Sequence, residues 1–207
     1  MSIPWFYTWS EPVFHNILQD TLKGFDLNPI QSDVSSLRDR AELIVTTLKG
    51  TTAPYIIFSV SDIIVKPEFI NELSDVTDDM VFLDGPKGTF QHGILYLKNT
   101  LEVQDFWNSV NTIEESILSF KGKWSKFSKK CVTTDTWDKN SEFNALYLIS
   151  SGFGKEFDFA EKIFIMAQHT DFQQYMKYVP EDIVPFIYKI QELLFLTHKE
   201  MKKENMR

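Results

Sequence analysis

Cysteine is nearly missing from this chain: Cys131 is the only one among 207 residues. No internal disulfide can form and no paired C-x-x-C zinc framework exists, so a reducing compartment, the cytoplasm, is the expectation. No apolar run approaches the ~20 residues needed to cross a bilayer. The opening residues MSIPWFYTWSEP lack the charged start, apolar stretch and small-residue cleavage site of a secretory signal. Also missing are a G-x-S-x-G elbow, a G-x-x-x-x-G-K-S/T loop and an H-E-x-x-H pair, which removes the residues of serine hydrolases, P-loop NTPases and zinc proteases. There is no internal repeat and no low-complexity segment. Positive charge is scarce too, with a net charge of -8, and an acidic surface opposes any protein whose task is to coat a phosphate backbone. One island departs from that balance. KGKWSKFSKK gathers Lys121, Lys123, Lys126, Lys129 and Lys130 around Trp124 and Phe127, either a solvated surface loop or a flap that meets an anionic substrate.

What is present is alternation of strand-like and helix-like patterns. IPWFYTW reads as a strand, and Glu11-Pro12 opens a helix with Val13, Ile17, Leu18 and Leu22 at helical spacing, closed near Gly24. FDLNPI is a second strand. Ser35 or Ser36 then caps a helix that ends before Gly50. PYIIFSVSDIIV follows, an unbroken apolar run that predicts a strand buried on both faces. Further on, PEFINEL reads as a short helix, MVFLDGPKGTFQHGILYLKNT as two strands joined at Gly85, Pro86 and Gly88, and LEVQDFWNSVNTIEESILSF as one amphipathic helix. SEFNALYLIS reads as a helix, FDFAEKIFIMAQ as a segment ending in a strand, and DIVPFIYKIQELLFLTHKEMKKENMR as a terminal helix fading into a charged tail. Strands alternating with helices predict an α/β fold with a mainly parallel sheet and helices on both faces, in one domain of 207 residues.

The third strand ends in a polar break holding one carboxylate, Asp62. Ligands of parallel sheets gather beyond the carboxyl ends of the strands, which marks Asp62 as a residue that handles a metal or a phosphate. Capping the short helix after Pro67 or bracing a turn are its structural alternatives.

With these residues in view, the chain resembles the GT-A type nucleotide-diphospho-sugar transferases, in particular the small glycosyltransferase-like proteins of viruses, phages and bacteria. In that family the third strand ends in Asp-any-Asp. Here Phe58-Ser59-Val60-Ser61-Asp62 keeps the second acid and has Val60 in place of the first. Phe90-Gln91-His92-Gly93-Ile94 is similar to a strand that approaches the donor sugar, and Asp138 to Asn144 is similar to an acidic helix start containing Glu142. Ala167-Gln168-His169 follows the last apolar strand, where many relatives carry a metal-binding histidine.

The resemblance implies transfer of a hexose or pentose from a donor such as a UDP- or GDP-sugar to an acceptor that is a glycan, lipid, protein or modified nucleic acid. It implies Mn²⁺ or Mg²⁺ held by Asp62 and His169. Tyr7, Thr8, Arg40, Ser61, Gly93 and Lys177 are expected at the donor, and Asp84, His92 and Glu142 at the sugar or acceptor. The nucleotide half is expected over about 1–66, the acceptor half over about 67–180 and a terminal helix over about 181–207. A GT-A-shaped protein that binds a nucleotide or a partner without catalysis is the alternative.

Overall fold

Strand β3 (Tyr55–Val60) lies inside a six-stranded sheet and is covered on both faces, as its apolar run predicts. The computed structural model describes residues 3–32, 34, 36–66, 68–85, 88–128, 131–133, 145–147, 159, 162–163, 172–189 and 191–192. On one side of β3 lie β1 (Trp5–Trp9) and then β2 (Leu27–Gln31), both parallel to it. On the other side follow β6 (Phe90–Lys98), β5 (Met80–Asp84) and β7 (Trp124–Lys126). Only β6 runs against the rest, because it pairs antiparallel with both β3 and β5 while β5 and β7 are parallel. The expected α/β architecture with a mostly parallel sheet is what the chain adopts.

The helices explain the burial. Helix α1 (Pro12–Thr21) starts on a proline, which fits a first turn, and the backbone leaves it through Gly24 at φ +100°, a conformation that favours glycine. Its Leu18 packs on one face of the sheet beside Tyr7, Ile57 and Phe69 of the short α3 (Phe69–Glu72). Helix α2 (Leu37–Gly50) is capped by Ser36, whose hydroxyl accepts from the Asp39 backbone N–H at 3.1 Å. With α4 (Leu101–Ser109) it covers the opposite face, bringing Ile44, Leu48, Phe106 and Trp107 against Ile56, Phe58 and Leu95. Each such side chain contributes roughly 1.5–3 kcal/mol on full burial.

Four sequence expectations need correction. The helix predicted across residues 101–120 breaks at Val110, which is extended, because Thr112 caps a new start at α5 (Ile113–Ser116) by accepting from Glu115 N–H at 3.3 Å. Gly50 is the last residue of α2 and does not lie past its end. SEFNALYLIS contains a strand, β9 (Ala145–Tyr147), sandwiched between β4 (Ile63–Val65) and β8 (Val132–Thr133) in a second, three-stranded sheet. Pairing partners on both sides override the helical propensity of Ala and Leu. The lysine island includes an edge strand, β7, held on β5, and is neither a free loop nor a flap over Trp124–Lys126. Residues 159, 162 and 163 are helical, as are 184–189, and the strand expected at the end of FDFAEKIFIMAQ falls outside the described residues.

A third apolar cluster ties the late chain to the early chain. Val13, Phe14 and Ile17 of α1 meet Ile64, Ile163, Tyr175, Val179 and Ile187. That contact brings Lys162 to the first turn of α1. No helix among the described residues is long and apolar enough to cross a membrane.

Candidate functional site

Three parallel strands, β1, β2 and β3, stop at the same edge of the sheet, and the residues just past their ends enclose a cleft. Thr8, Trp9, Ser10 and Glu11 come from β1, Ser32 and Val34 from beyond β2, and Val60, Ser61 and Asp62 from β3, with Lys162 closing the wall. At about 90 Å³, it is smaller than the ~300 Å³ at which whole-ligand pockets begin. The space between the described walls is of the size of a phosphate or a sugar, not of a whole nucleotide-sugar.

Asp62 is only 4% exposed, and what makes its burial tolerable is Lys162. The ammonium lies 2.7 Å from Asp62 Oδ2 and 3.5 Å from Glu11 Oε2, and 5.5 Å from the centre of the Phe14 ring. The Asp62 contact is a close ion pair. Burial works against the charge of Lys162, yet Asp62 and then Glu11 outweigh it and hold the amine above its ordinary value. The lysine is a cation at every physiological pH. Asp62 caps no helix: α3 has no side-chain cap.

Beside this pair, Trp9 stacks on His15 at 4.3 Å between ring centres. His15 Nδ1 is 3.1 Å from the hydroxyl of Tyr7, and burial lowers the imidazole below its usual value. Tyr7 itself is fully buried, and burial raises its phenol. It therefore steadies the Trp9–His15 stack from inside the core and has no exposed surface for a ligand, contrary to its expected place at the donor.

The other expected residues lie elsewhere. Arg40 is 2% exposed; its Nε donates to His92 Nδ1 at 3.3 Å and its guanidinium sits 5.5 Å from the Phe58 ring centre. Burial, then the Arg40 charge, push His92 down to about 3. The imidazole stays neutral with one nitrogen committed, which makes it a weak base and a support for Arg40. A register jump turns it that way: Phe82 faces Leu95 while Leu83 faces Gln91, so His92 and Gly93 have no β5 partner. Gly93 is buried in this irregular stretch. Asp84 is 2.7 Å from Lys126, and Lys177 is exposed and 2.8 Å from Asp20 near the far end of α1. None of these lines the cleft. Glu142 and His169 lie outside the described residues. Of the expected set, Thr8, Ser61 and Asp62 come together.

Lys162, Glu11 and Trp9 were not singled out by sequence. The signal for Lys162 was present: one lysine inside the apolar run FAEKIFIM must find a partner when that run is buried. As a metal site the described residues do not fit, since Asp62 and Glu11 already share an ammonium and no group of three His, Cys, Asp or Glu converges among them. Cys131 is a buried thiol beside Glu72, pushed up to about 11 by burial and then by that carboxylate, and is unreactive in this state.

No family model matches the sequence, and no curated protein matches it. Solved structures do match the fold. A glycosyltransferase involved in the glycosylation of the major capsid of PBCV-1 superposes with a TM-score of 0.52 at 11% identity, covering 72% of this chain and 94% of that one. The apo-form glycosyltransferase GlyE of Streptococcus pneumoniae TIGR4 gives 0.49 at 11% identity, over 96% of this chain and 64% of that one. LgtC, crystallised with donor and acceptor sugar analogs, gives 0.45 at 9%, over 87% and 99%. The fold is of the GT-A type.

Proposed function

We propose that this chain is a glycosyltransferase that seats a nucleotide-diphospho-sugar, such as a UDP- or GDP-sugar, over the β1–β3 edge and passes the sugar to an acceptor. The observation that carries this reading is the convergence of Thr8, Ser61 and Asp62 with Lys162 in a polar cleft beyond three parallel strands. The cleft lies in the first 66 residues apart from Lys162, which supports a nucleotide-binding half there and an acceptor half after it.

The chemistry needs charge stabilisation on a departing diphosphate. The first turn of α1 opens beside the cleft at Glu11, and its free N–H groups carry about half a positive charge. Lys162 adds a full one. Thr8 and Ser61 offer hydroxyls to ribose or phosphate, and Trp9, braced by His15, offers an aromatic edge for a base. Mn²⁺ or Mg²⁺, when bound, would screen the same diphosphate. The described acids, Glu11 and Asp62, are already engaged by Lys162.

A second reading, a nucleotide binder without turnover, is favoured by Val60 in place of a carboxylate and by the internal neutralisation of Asp62. One experiment separates the two: thermal shift with UDP, GDP and their sugars, followed by assay of nucleotide release. Stabilisation with release supports transfer. Stabilisation alone supports the binder, and no stabilisation by any nucleotide removes both.

A further inference from the structure

Glu11 and Asp62 reach the cleft from the ends of two different strands and converge on one point. Paired carboxylate oxygens at such a point suit a hard divalent cation. Here the point is taken by an ammonium tethered to the protein, 2.7 Å from one acid and 3.5 Å from the other. The tether is fixed: Lys162 lies near the Phe14 ring, and its neighbour Ile163, 2% exposed, is locked in the cluster on α1.

We propose that Lys162 is a built-in counter-ion that keeps divalent cations off the Glu11–Asp62 pair and itself presents positive charge to an anionic ligand in the cleft. An ammonium has three donors, and two carboxylates engage it here, one of them at the long distance of 3.5 Å. Among the described residues, a donor is left for a phosphate oxygen. A divalent ion placed between the same acids would stand within a few ångströms of that ammonium, where like charges in a low-dielectric cleft repel strongly. Lysine withdrawal would be required first, and the packed stem opposes it. Val60, beside the pair, supplies no extra ligand.

This deepens the transferase reading by assigning its counter-charge, and the decisive measurement contains no nucleotide. Mn²⁺ binding is followed by electron paramagnetic resonance in the full chain, in Lys162→Met, Lys162→Gln, Asp62→Asn, and Lys162→Met with Asp62→Asn. The wild type is expected to show no Asp62-dependent Mn²⁺ binding below about 1 mM, whereas removal of the ammonium tightens Mn²⁺ at least tenfold, and Asp62→Asn abolishes the gain. Asp62-dependent binding in the wild type, or no gain in folded Lys162 variants, overturns the proposal. If neither Lys162 variant folds, the comparison of wild type with Asp62→Asn still decides it. UDP titrations with and without chelator form a separate arm: equal affinity in both supports the counter-ion, and a chelator-sensitive affinity overturns it. If UDP does not bind at all, the transferase reading fails and the Mn²⁺ result stands by itself.

Discussion

Two aspartates mark the same edge of the central sheet, Asp62 beyond β3 and Asp84 at the end of β5, and each stands 2.7 Å from a lysine. Their surroundings separate them. Lys126 also donates to the Gly88 carbonyl at 2.7 Å and the Thr89 carbonyl at 3.1 Å, and lies 4.5 Å from the Phe90 ring centre, so its three donors are spent strapping the β5–β6 connection. Gly85 completes that strap, since a Cβ there would collide with Thr89. Lys162 instead meets two acids, one at long range, inside a cleft. The same pair of residue types thus gives a finished structural clamp at one strand end and, among the described residues, a less fully engaged charge at another. Residue type alone does not distinguish the two; the partners around each lysine do.

The largest test of that contrast is Asp62→Ala. Removing one partner strands the Lys162 charge in a mostly buried place, and a loss of about 2–3 kcal/mol in urea unfolding is expected, below the upper end for buried pairs because Glu11 remains. Adding Lys162→Met should recover most of it, giving a coupling energy of about 1–2 kcal/mol in a double-mutant cycle. Additive effects would show that the pair is not coupled. The wild-type contribution also has a defined pH range. Since the folded amine is raised above 10.5, the alkaline limit is set by the lysine: its contribution is still complete just below that pH and fades only as pH rises through the higher folded value.

A second effect, spread over a pH range, comes from His92 in the strapped half. Its folded value of about 3 lies below the ordinary 6.5, so between these pH values the unfolded chain binds more protons than the folded one. Stability must then fall as pH drops below about 6.5, with this residue contributing at most about 1.4 kcal/mol per pH unit. His92→Gln should flatten the acid limb of stability against pH, measured by chemical denaturation from pH 7 to pH 4. His15 shifts in the same direction and leaves some slope behind. An unchanged limb would show that burial and Arg40 do not hold the imidazole neutral.

The contrast also shows what the sequence could convey. The buried β3, a serine cap at 35 or 36 and the β5–β6 pairing are local patterns, each written in consecutive residues, and they were legible, with the structure choosing Ser36. Helix α1 was legible for the same reason. The fate of Asp62 was not, because Lys162 lies 100 positions later and is brought to it by tertiary packing of Ile163 on α1. Tyr7 shows the opposite failure. Its place near the end of β1 suggested contact with a ligand, but Tyr7 is wholly buried in the core, and it is Thr8 and Trp9, the last two residues of the strand, that line the cleft. Strand β9 was misread because its partners, β4 and β8, are set by tertiary pairing and not by its own composition.

Asp84→Asn is the prediction with the smallest expected effect. Lys126 keeps its two carbonyl acceptors and the Phe90 ring, and the pair is partly solvated, with Asp84 31% and Lys126 23% exposed. An ion pair so placed contributes about 0.5–1 kcal/mol, and that is the loss expected in thermal or urea unfolding. Nucleotide stabilisation and Mn²⁺ behaviour should match the wild type, because Asp84 lies across β6 from the cleft and does not line it. A reduced thermal shift with UDP or a UDP-sugar would mean that the β5 end belongs to the ligand site after all. Asp84 would then regain its expected place at the sugar, and the two strand ends would form one extended surface.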